Sequence, residues 1–516
     1  MADPRRLALH PLLFAAFPVL YLYATNATEG VAFADVVWPL VLVMGVTAGV
    51  FGFAWLAFRR EAPRAGLAVS GLVVLFFSYG HAYGAMAGFT VGGFLVGRHT
   101  LLLPLWGLLA GSVVFLAVRI GRSLPRLTGA LNVVAAVLVL VNVTAIAVHE
   151  IGANQPSLTP PGLAGVALRW RPLLGHPGPP DIYYLILDEY AGEQTLESQF
   201  GFDNRPFLDA LSRQGFYVAS RSRTNYPRTS LALAASLNMT YLDFLTRRVR
   251  ADSADAGPLR GLMREHVVGR LLQRAGYSYV HIGSTWSPTA TSPIADVNVK
   301  FQGLSEFATV LYHTTILEPI ARRLHVFPQL LDARRNEWAS VQREFRDLAD
   351  ARARPGPKFV LAHFLIPHDP FVFDRRGRFV TEQQESATPR DRAYVDQLAY
   401  TNTRVLNVIE TLLSGPVAER PIVIVQSDEG PYAGAPTSWT KLRLPVLMRK
   451  FEILNAYYLP GLARTGLYPS ITPVNTFRLV FDRYFGARLP LLPDDEFVFR
   501  DLRHLYRFTR VTDLVE

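Results

Sequence analysis

Apolar positions follow two patterns along this chain. Up to about residue 150 they form long runs, at 7–23, 36–58, 65–83, 101–118 and 127–148. Each is close to the roughly 20 residues a membrane-spanning helix needs. The first run contains His10 and Pro11, and a cleaved signal peptide is its rival reading. No small-residue cleavage site follows it and four more runs do, so five spans are expected. Beyond residue 180 the runs shorten and alternate with helix-periodic stretches. Strands are predicted at 182–187, 216–219, 277–282, 359–364, 422–426 and 445–448. Helices are predicted at 205–214, 230–237, 263–275, 336–351, 389–413 and 473–485. The last has Thr472 at its N-cap and Pro473 at its first position, and the helix at 263–275 stops at Gly276. Such alternation predicts an α/β domain with a mainly parallel central sheet. The expected order is a helical membrane domain (1–150), a Pro- and Gly-rich linker (151–180) and an α/β domain (181–516).

Charge adds an orientation. Arg5 and Arg6 precede the first run, Arg59, Arg60 and Arg64 follow the second, and Arg119, Arg122 and Arg126 follow the fourth. The first loop instead carries Glu29 and Asp35. With basic loops retained inside, the N-terminus is cytoplasmic and everything after His149 is extracytoplasmic. Residues 84–100 are apolar and Gly-rich, with Arg98 as their charge. A crossing there would reverse the assignment, and an interfacial or re-entrant piece is expected. In the linker, Trp170 between Arg169 and Arg171 suits either a segment on lipid headgroups or a packed connection.

Composition narrows the chemistry. The 516 residues are 50% hydrophobic with a formal net charge of +10, and no nucleic-acid-binding motif is present. Cysteine is absent, which excludes disulfides, zinc–thiolate sites and a cysteine nucleophile.

Two predicted strands end in paired acids: Leu187-Asp188-Glu189 and Ser427-Asp428-Glu429-Gly430. Ligands of parallel α/β sheets bind outside the carboxyl ends of the strands. Four carboxylates meeting there require protonation or a cation, so a divalent metal site is expected. Between the strands, Pro227-Arg228-Thr229-Ser230 leads into a small-residue helix. Thr229 has two readings: a helix cap, or a hydroxyl nucleophile activated by the metal. Pro367-His368-Asp369-Pro370-Phe371 puts His368 in a turn beyond a strand, suited to acid–base work, whereas His363 lies within the strand and suits a structural role. Lys441 and Arg443 fit either an anionic substrate or a solvated loop.

In this order the motifs resemble the alkaline phosphatase superfamily in its sulfatase-like branch, over about residues 180–450. Spans followed by an external domain are similar to the lipoteichoic acid synthase-type phosphoglycerol transferases. The resemblance implies one divalent ion (Mn²⁺, Mg²⁺ or Ca²⁺), with Asp188, Thr229 and Asp428 as ligands joined by Glu189 and Glu429. It also implies Thr229 as nucleophile; beside it, His368 is expected as acid or acceptor-binding group, and Arg228, His368, Lys441 and Arg443 toward substrate. Two departures stand out. The family's Asp-His-Gly is Asp428-Glu429-Gly430 here, which makes an all-oxygen set. The formylglycine motif of true sulfatases is replaced by Asn225-Tyr226-Pro227-Arg228-Thr229, and another register would put Thr224 or Asn225 in the nucleophile position. The expected function is a membrane-anchored, metal-dependent phosphotransferase. It would move a headgroup from an anionic lipid-linked donor to a cell-envelope glycan or water. A phosphate or sulfate ester hydrolase and a non-catalytic binding relative are the alternatives.

Overall fold

The computed structural model describes residues 7–27, 31, 33–120, 124–153, 160–163, 165–172, 178–300, 303–326, 331–431, 438–462 and 466–515. Arg5, Arg6, Glu29, Arg122 and parts of the linker lie outside the described residues. The chain divides into two units: Met1–Gln155 with Leu304–Ala333, and Pro156–Gly303 with Arg334–Glu516.

The first unit holds α1 (His10–Asn26), α2 (Phe33–Ala57), α3 (Ala62–Met86), α4 (His99–Arg119) and α5 (Leu124–Ala153). Among the described residues, four helices are long and apolar enough to cross a membrane: Phe33–Ala57, Ala62–Met86, His99–Arg119 and Leu124–Glu150. At 17 residues, α1 is about 25 Å long at a rise of about 1.5 Å per residue. That is the lower end of the roughly 17–25 residues of spanning helices. The expected count of five is thus not confirmed among the described residues. α1 buries Ala15, Ala16, Val19 and Tyr23, whereas α2 leaves Val41, Val46 and Phe53 exposed. Between α3 and α4 the chain forms a small antiparallel hairpin, β1 (Thr90–Val91) with β2 (Phe94–Leu95), instead of a further helix.

Residues from the downstream half join this unit. Helix Glu306–His313 buries Phe307 and Leu311 in a cluster with Val19, Tyr23, Val36, Phe77 and Ile146. The turn after it bonds to α3: Gly80 N–H donates to the Thr314 carbonyl at 2.9 Å and Ile316 N–H to the Phe76 carbonyl at 3.0 Å. A Cβ on Gly80 would lie 2.3 Å from the His313 carbonyl oxygen, so only glycine permits this approach. Gly80→Val is therefore expected to release the turn. Faster tryptic cleavage at Arg322 or Arg323 would show it, and an unchanged digestion pattern would count against this docking.

The second unit is built on a seven-stranded sheet. Its strands are β3 (Ile182–Asp188), β4 (Tyr217–Val218), β5 (Ser278–Ile282), β6 (Val297–Val299), β7 (Lys358–Pro367), β8 (Ile422–Ser427) and β9 (Asn455–Tyr458). Their order is β4-β9-β8-β3-β7-β5-β6, antiparallel at β4/β9 and β8/β9 and parallel elsewhere. β3 lies at the centre and every one of its residues is buried. Such strands read as continuous apolar runs because both faces are covered. Ile182, Tyr184 and Ile186 face one core with helix Thr229–Ser236; Tyr183, Leu185 and Leu187 face the other.

Most predicted elements are present. The predicted helix at 263–275 is two helices, Gly257–Arg264 and Val267–Arg274. The predicted strand at 445–448 is instead helix Leu444–Phe451, with Pro445 in its first turn. A short apolar run does not distinguish strand from buried helix by periodicity. Trp170 stacks on Tyr484 at 6.2 Å, with Arg169 and Arg171 N–H groups bonded to the Phe485 and Tyr484 carbonyls.

Candidate metal and nucleophile site

Strand register brings the acids together. Leu187 pairs with Ser427 across the parallel β3/β8 pair, so the following residues, Asp188 and Asp428, leave adjacent strand ends side by side. Ile186 pairs with His363 on β7. Side chains alternate faces along a strand. Asp188, His363 and Asp428 therefore share the face toward which Ile186, Leu361 and Ile424 point. Their ligand atoms all lie within 4.8 Å of one another.

The turn after β3 is held in an unusual backbone state. Glu189 has φ +61°, a left-handed conformation uncommon outside glycine. Hydrogen bonds fix it: Glu189 N–H donates to Asp428 Oδ1 at 3.2 Å, Tyr190 N–H to Ser427 Oγ at 2.9 Å, and Tyr394 Oη–H to the Glu189 carbonyl at 2.8 Å. Asp428 Oδ1 also accepts from Glu429 N–H at 2.7 Å. Such strain, of order 1–3 kcal/mol, persists only where surrounding contacts enforce it.

Asp188 Oδ1, Asp428 Oδ2 and His363 Nε2 are buried and have no hydrogen-bond partner. Burial, and then the neighbouring Glu189 and Glu429 charges, push Asp188 well above the ordinary carboxylate range. Burial, then Asp188 and Glu429, do the same to Asp428. Burial and the charge of His368 push the His363 imidazole down to about 3, so it is neutral and keeps a lone pair for a ligand. His363 Nδ1 bonds Thr289 Oγ1 at 3.1 Å, which fixes the ring. Two carboxylates and a neutral imidazole, each with an orphaned atom, fit a divalent cation. The second acid of each pair faces elsewhere. Lys450 Nζ lies 3.2 Å from Glu189 Oε1 and 3.0 Å from Glu429 Oε2, all three side chains being buried. Burial alone would lower the Lys450 pKa; Glu429 and Glu189 reverse that and raise it. Gly430 permits the approach, because a Cβ there would lie 1.9 Å from the Arg449 carbonyl oxygen. Its N–H donates to the Lys450 carbonyl at 2.8 Å.

Thr229 opens helix Thr229–Ser236, with Arg228 at the N-cap. The helix is small and apolar, and all its residues after Thr229 are buried, with helices Gly257–Arg264 and Pro473–Phe485 packed on it. Thr229 Oγ1 donates to Glu429 Oε1 at 3.3 Å, on the residue next to Asp428. It is half-buried, whereas Thr224 and Asn225 are buried and committed to structure. Thr224 Oγ1 donates to the Tyr226 carbonyl, and Asn225 bonds the Asp495 carbonyl and Val474 N–H. His368 follows β7, and its N–H donates to the Asp188 carbonyl at 3.1 Å. Burial would lower its pKa, but the Glu189 and Asp369 charges raise it. Lys441 and Arg443 are exposed, and among the described residues no contact ties either to the acids. Arg228 is half-buried, and its charge acts on Tyr506.

Sequence reasoning missed two members of this cluster. His363 gave no local signal, because only the β3/β7 register sets it beside Asp188. Lys450 was hidden in a helix read as a strand.

No curated protein sequence matches the chain. The chain is similar to the C-terminal periplasmic domain of EptC from Escherichia coli, at 13% identity, 67% of this chain, 96% of that one and a TM-score of 0.41. It is also similar to the integral membrane lipooligosaccharide phosphoethanolamine transferase A of Neisseria meningitidis, at 13% identity, 87% of this chain, 88% of that one and a TM-score of 0.35. A third is the phosphonate monoester hydrolase of Agrobacterium radiobacter, at 15% identity, 61% of this chain, 75% of that one and a TM-score of 0.38. A family model described as Sulfatase matches residues 181–477, more than half of the chain and the whole stretch from β3 through Lys450 that builds the cluster, so the protein belongs to the sulfatase family.

Proposed function

We propose that the protein is a membrane-anchored phosphotransferase in which Thr229 attacks the phosphorus of a lipid-linked headgroup. The observation that carries this reading is Thr229 Oγ1 bonded to Glu429, the residue that follows Asp428 of the Asp188–His363–Asp428 cluster. Asp188, Asp428 and His363 would hold the divalent ion. The imidazole that the resemblance expects after Asp428 is Glu429 here, and His363 supplies one from the adjacent strand. When bound, the ion would lower the Thr229 pKa and offset oxyanion charge.

Glu429 accepts the Thr229 proton as the Oγ–P bond forms. The bond from phosphorus to the lipid oxygen breaks, and His368, its pKa raised by Glu189 and Asp369, protonates the leaving oxygen. A glycan hydroxyl or water then displaces Thr229 from phosphorus, giving its proton to the now neutral His368 while Glu429 returns a proton to Thr229 Oγ. Hydrolysis uses the same residues with water as acceptor. The long apolar helices favour a donor already in the bilayer.

The topology that suits this reading has α1 crossing as a fifth span with its N-terminus inside. Tyr23 near the end of α1, Val36 near the start of α2, Phe77 in the second half of α3 and Ile146 near the end of α5 share one cluster. Alternate crossings would gather these ends on one side. That side then lies outside, opposite the basic loops.

The test is intact-protein mass spectrometry after incubation with Mn²⁺ and phosphatidylethanolamine–phosphatidylglycerol vesicles. The expected result is a phosphoryl-linked adduct on Thr229; an adduct on Thr224, or none, would contradict the reading. A second expectation concerns the ion. His363→Ala should weaken Mn²⁺ binding at least about tenfold by isothermal titration, since one of few ligands is lost. Equal affinity would remove His363 from the ligand set.

A further inference from the structure

The segment Leu304–Ala333 belongs to the first unit although chain of the second unit flanks it on both sides. Its first helix, Glu306–His313, is the anchored part, through Phe307, Leu311 and the two backbone bonds to α3. Its second helix, Leu317–Leu324, buries Pro319 and Ala321. Leu317, Ile320 and Leu324 are exposed at 47%, 37% and 66%. Their spacing of i, i+3 and i+7 puts them on one stripe. Glu318, Arg322 and Arg323 occupy the remaining surface, with Arg322 paired to Glu318 at 3.0 Å.

Three large aliphatic side chains left partly in water forgo the gain that burial would bring. The stripe lies beside the spans: Ile316 N–H, just before it, donates to the Phe76 carbonyl of α3, and the Glu318 and Arg322 charges reach His99 at the start of α4. An apolar stripe contiguous with the ends of spans and flanked by arginines matches a bilayer interface. There aliphatic groups enter the acyl region and guanidinium groups reach lipid phosphates.

We propose that helix Leu317–Leu324 lies in the plane of the membrane at headgroup level, with Leu317, Ile320 and Leu324 among the acyl chains and Arg322 and Arg323 on phospholipid phosphates. The segment thereby fastens the downstream half of the chain to a lipid leaflet. The inference rests on the apolar helices being spans and is independent of the chemistry at Thr229.

The chain has no cysteine, so single-cysteine variants take one nitroxide each. I320C, L324C and, as a mid-span control, V46C are labelled in the full chain. They are reconstituted in phosphatidylethanolamine–phosphatidylglycerol vesicles and examined by power-saturation electron paramagnetic resonance. The proposal expects I320C and L324C to be more accessible to oxygen than to a water-soluble nickel chelate, with V46C more strongly so. Greater nickel access at L324C with V46C lipid-exposed would place the stripe in water and overturn the proposal. Labels at 320 and 324 shielded from both reagents would mean that protein covers the stripe, which also overturns it. Nickel access at V46C as well would overturn the span reading on which the proposal depends.

Discussion

Thr229→Ala is expected to lower turnover of a phospholipid donor by at least about 1,000-fold, because removing a nucleophile removes the covalent route and leaves only what binding and electrostatics supply. The fold should survive. Thr229 is half-buried at the first position of its helix and Arg228 holds the N-cap, so the loss is one hydroxyl bonded to Glu429. A net hydrogen bond of this kind contributes about 0.5–1.5 kcal/mol. The measurement is kcat together with thermal unfolding of the same preparation. Turnover within tenfold of the parent would assign Thr229 to capping and positioning. Loss of turnover with loss of the unfolding transition would be a folding defect, and Thr229→Ser, which keeps the hydroxyl, would then decide. Restored turnover in that variant supports the nucleophile.

The second large effect is on stability. Lys450→Met leaves Glu189 and Glu429 buried without their shared cation. Breaking a buried ion pair by removing one partner costs about 3–5 kcal/mol, since the remaining charge stays desolvated. The globular unit of the variant is expected to unfold at markedly lower temperature. The triple variant Lys450→Met/Glu189→Gln/Glu429→Gln should recover most of the loss, because an uncharged trio needs no counterion. A Lys450→Met protein as stable as the parent would show that the two glutamates are protonated or solvated in the fold. In that case Lys450 does not divide the four acids into an ion-paired half and a metal-facing half.

That division explains what the sequence could and could not disclose. The acid-ended strands were legible because a run such as Ile422-Val423-Ile424-Val425 can only be buried, and Asp428 must then sit at its exit. Helix Pro473–Phe485 was legible because Thr472, Pro473 and Gly486 mark its ends, although the Thr472 hydroxyl bonds Asp494 rather than its own helix. His363 was not legible, since its relation to Asp188 is a matter of register between strands 175 positions apart in sequence. Lys450 was masked by a short Val- and Leu-containing run that forms helix under tertiary packing. The return of Leu304–Ala333 to the first unit depends on Phe307 and Leu311 finding Tyr23 and Phe77, and on Gly80 admitting a foreign carbonyl. No local pattern announces either contact.

The most direct measurement is anomalous X-ray diffraction from crystals of the full chain grown with Mn²⁺, collected at the manganese edge. The account requires a peak with Asp188, His363 and Asp428 ligand atoms within about 2.6 Å and Thr229 Oγ1 adjacent. No peak between the β3 and β8 ends at saturating Mn²⁺, or a peak coordinated by Glu189 and Glu429 with Lys450 displaced, would contradict it.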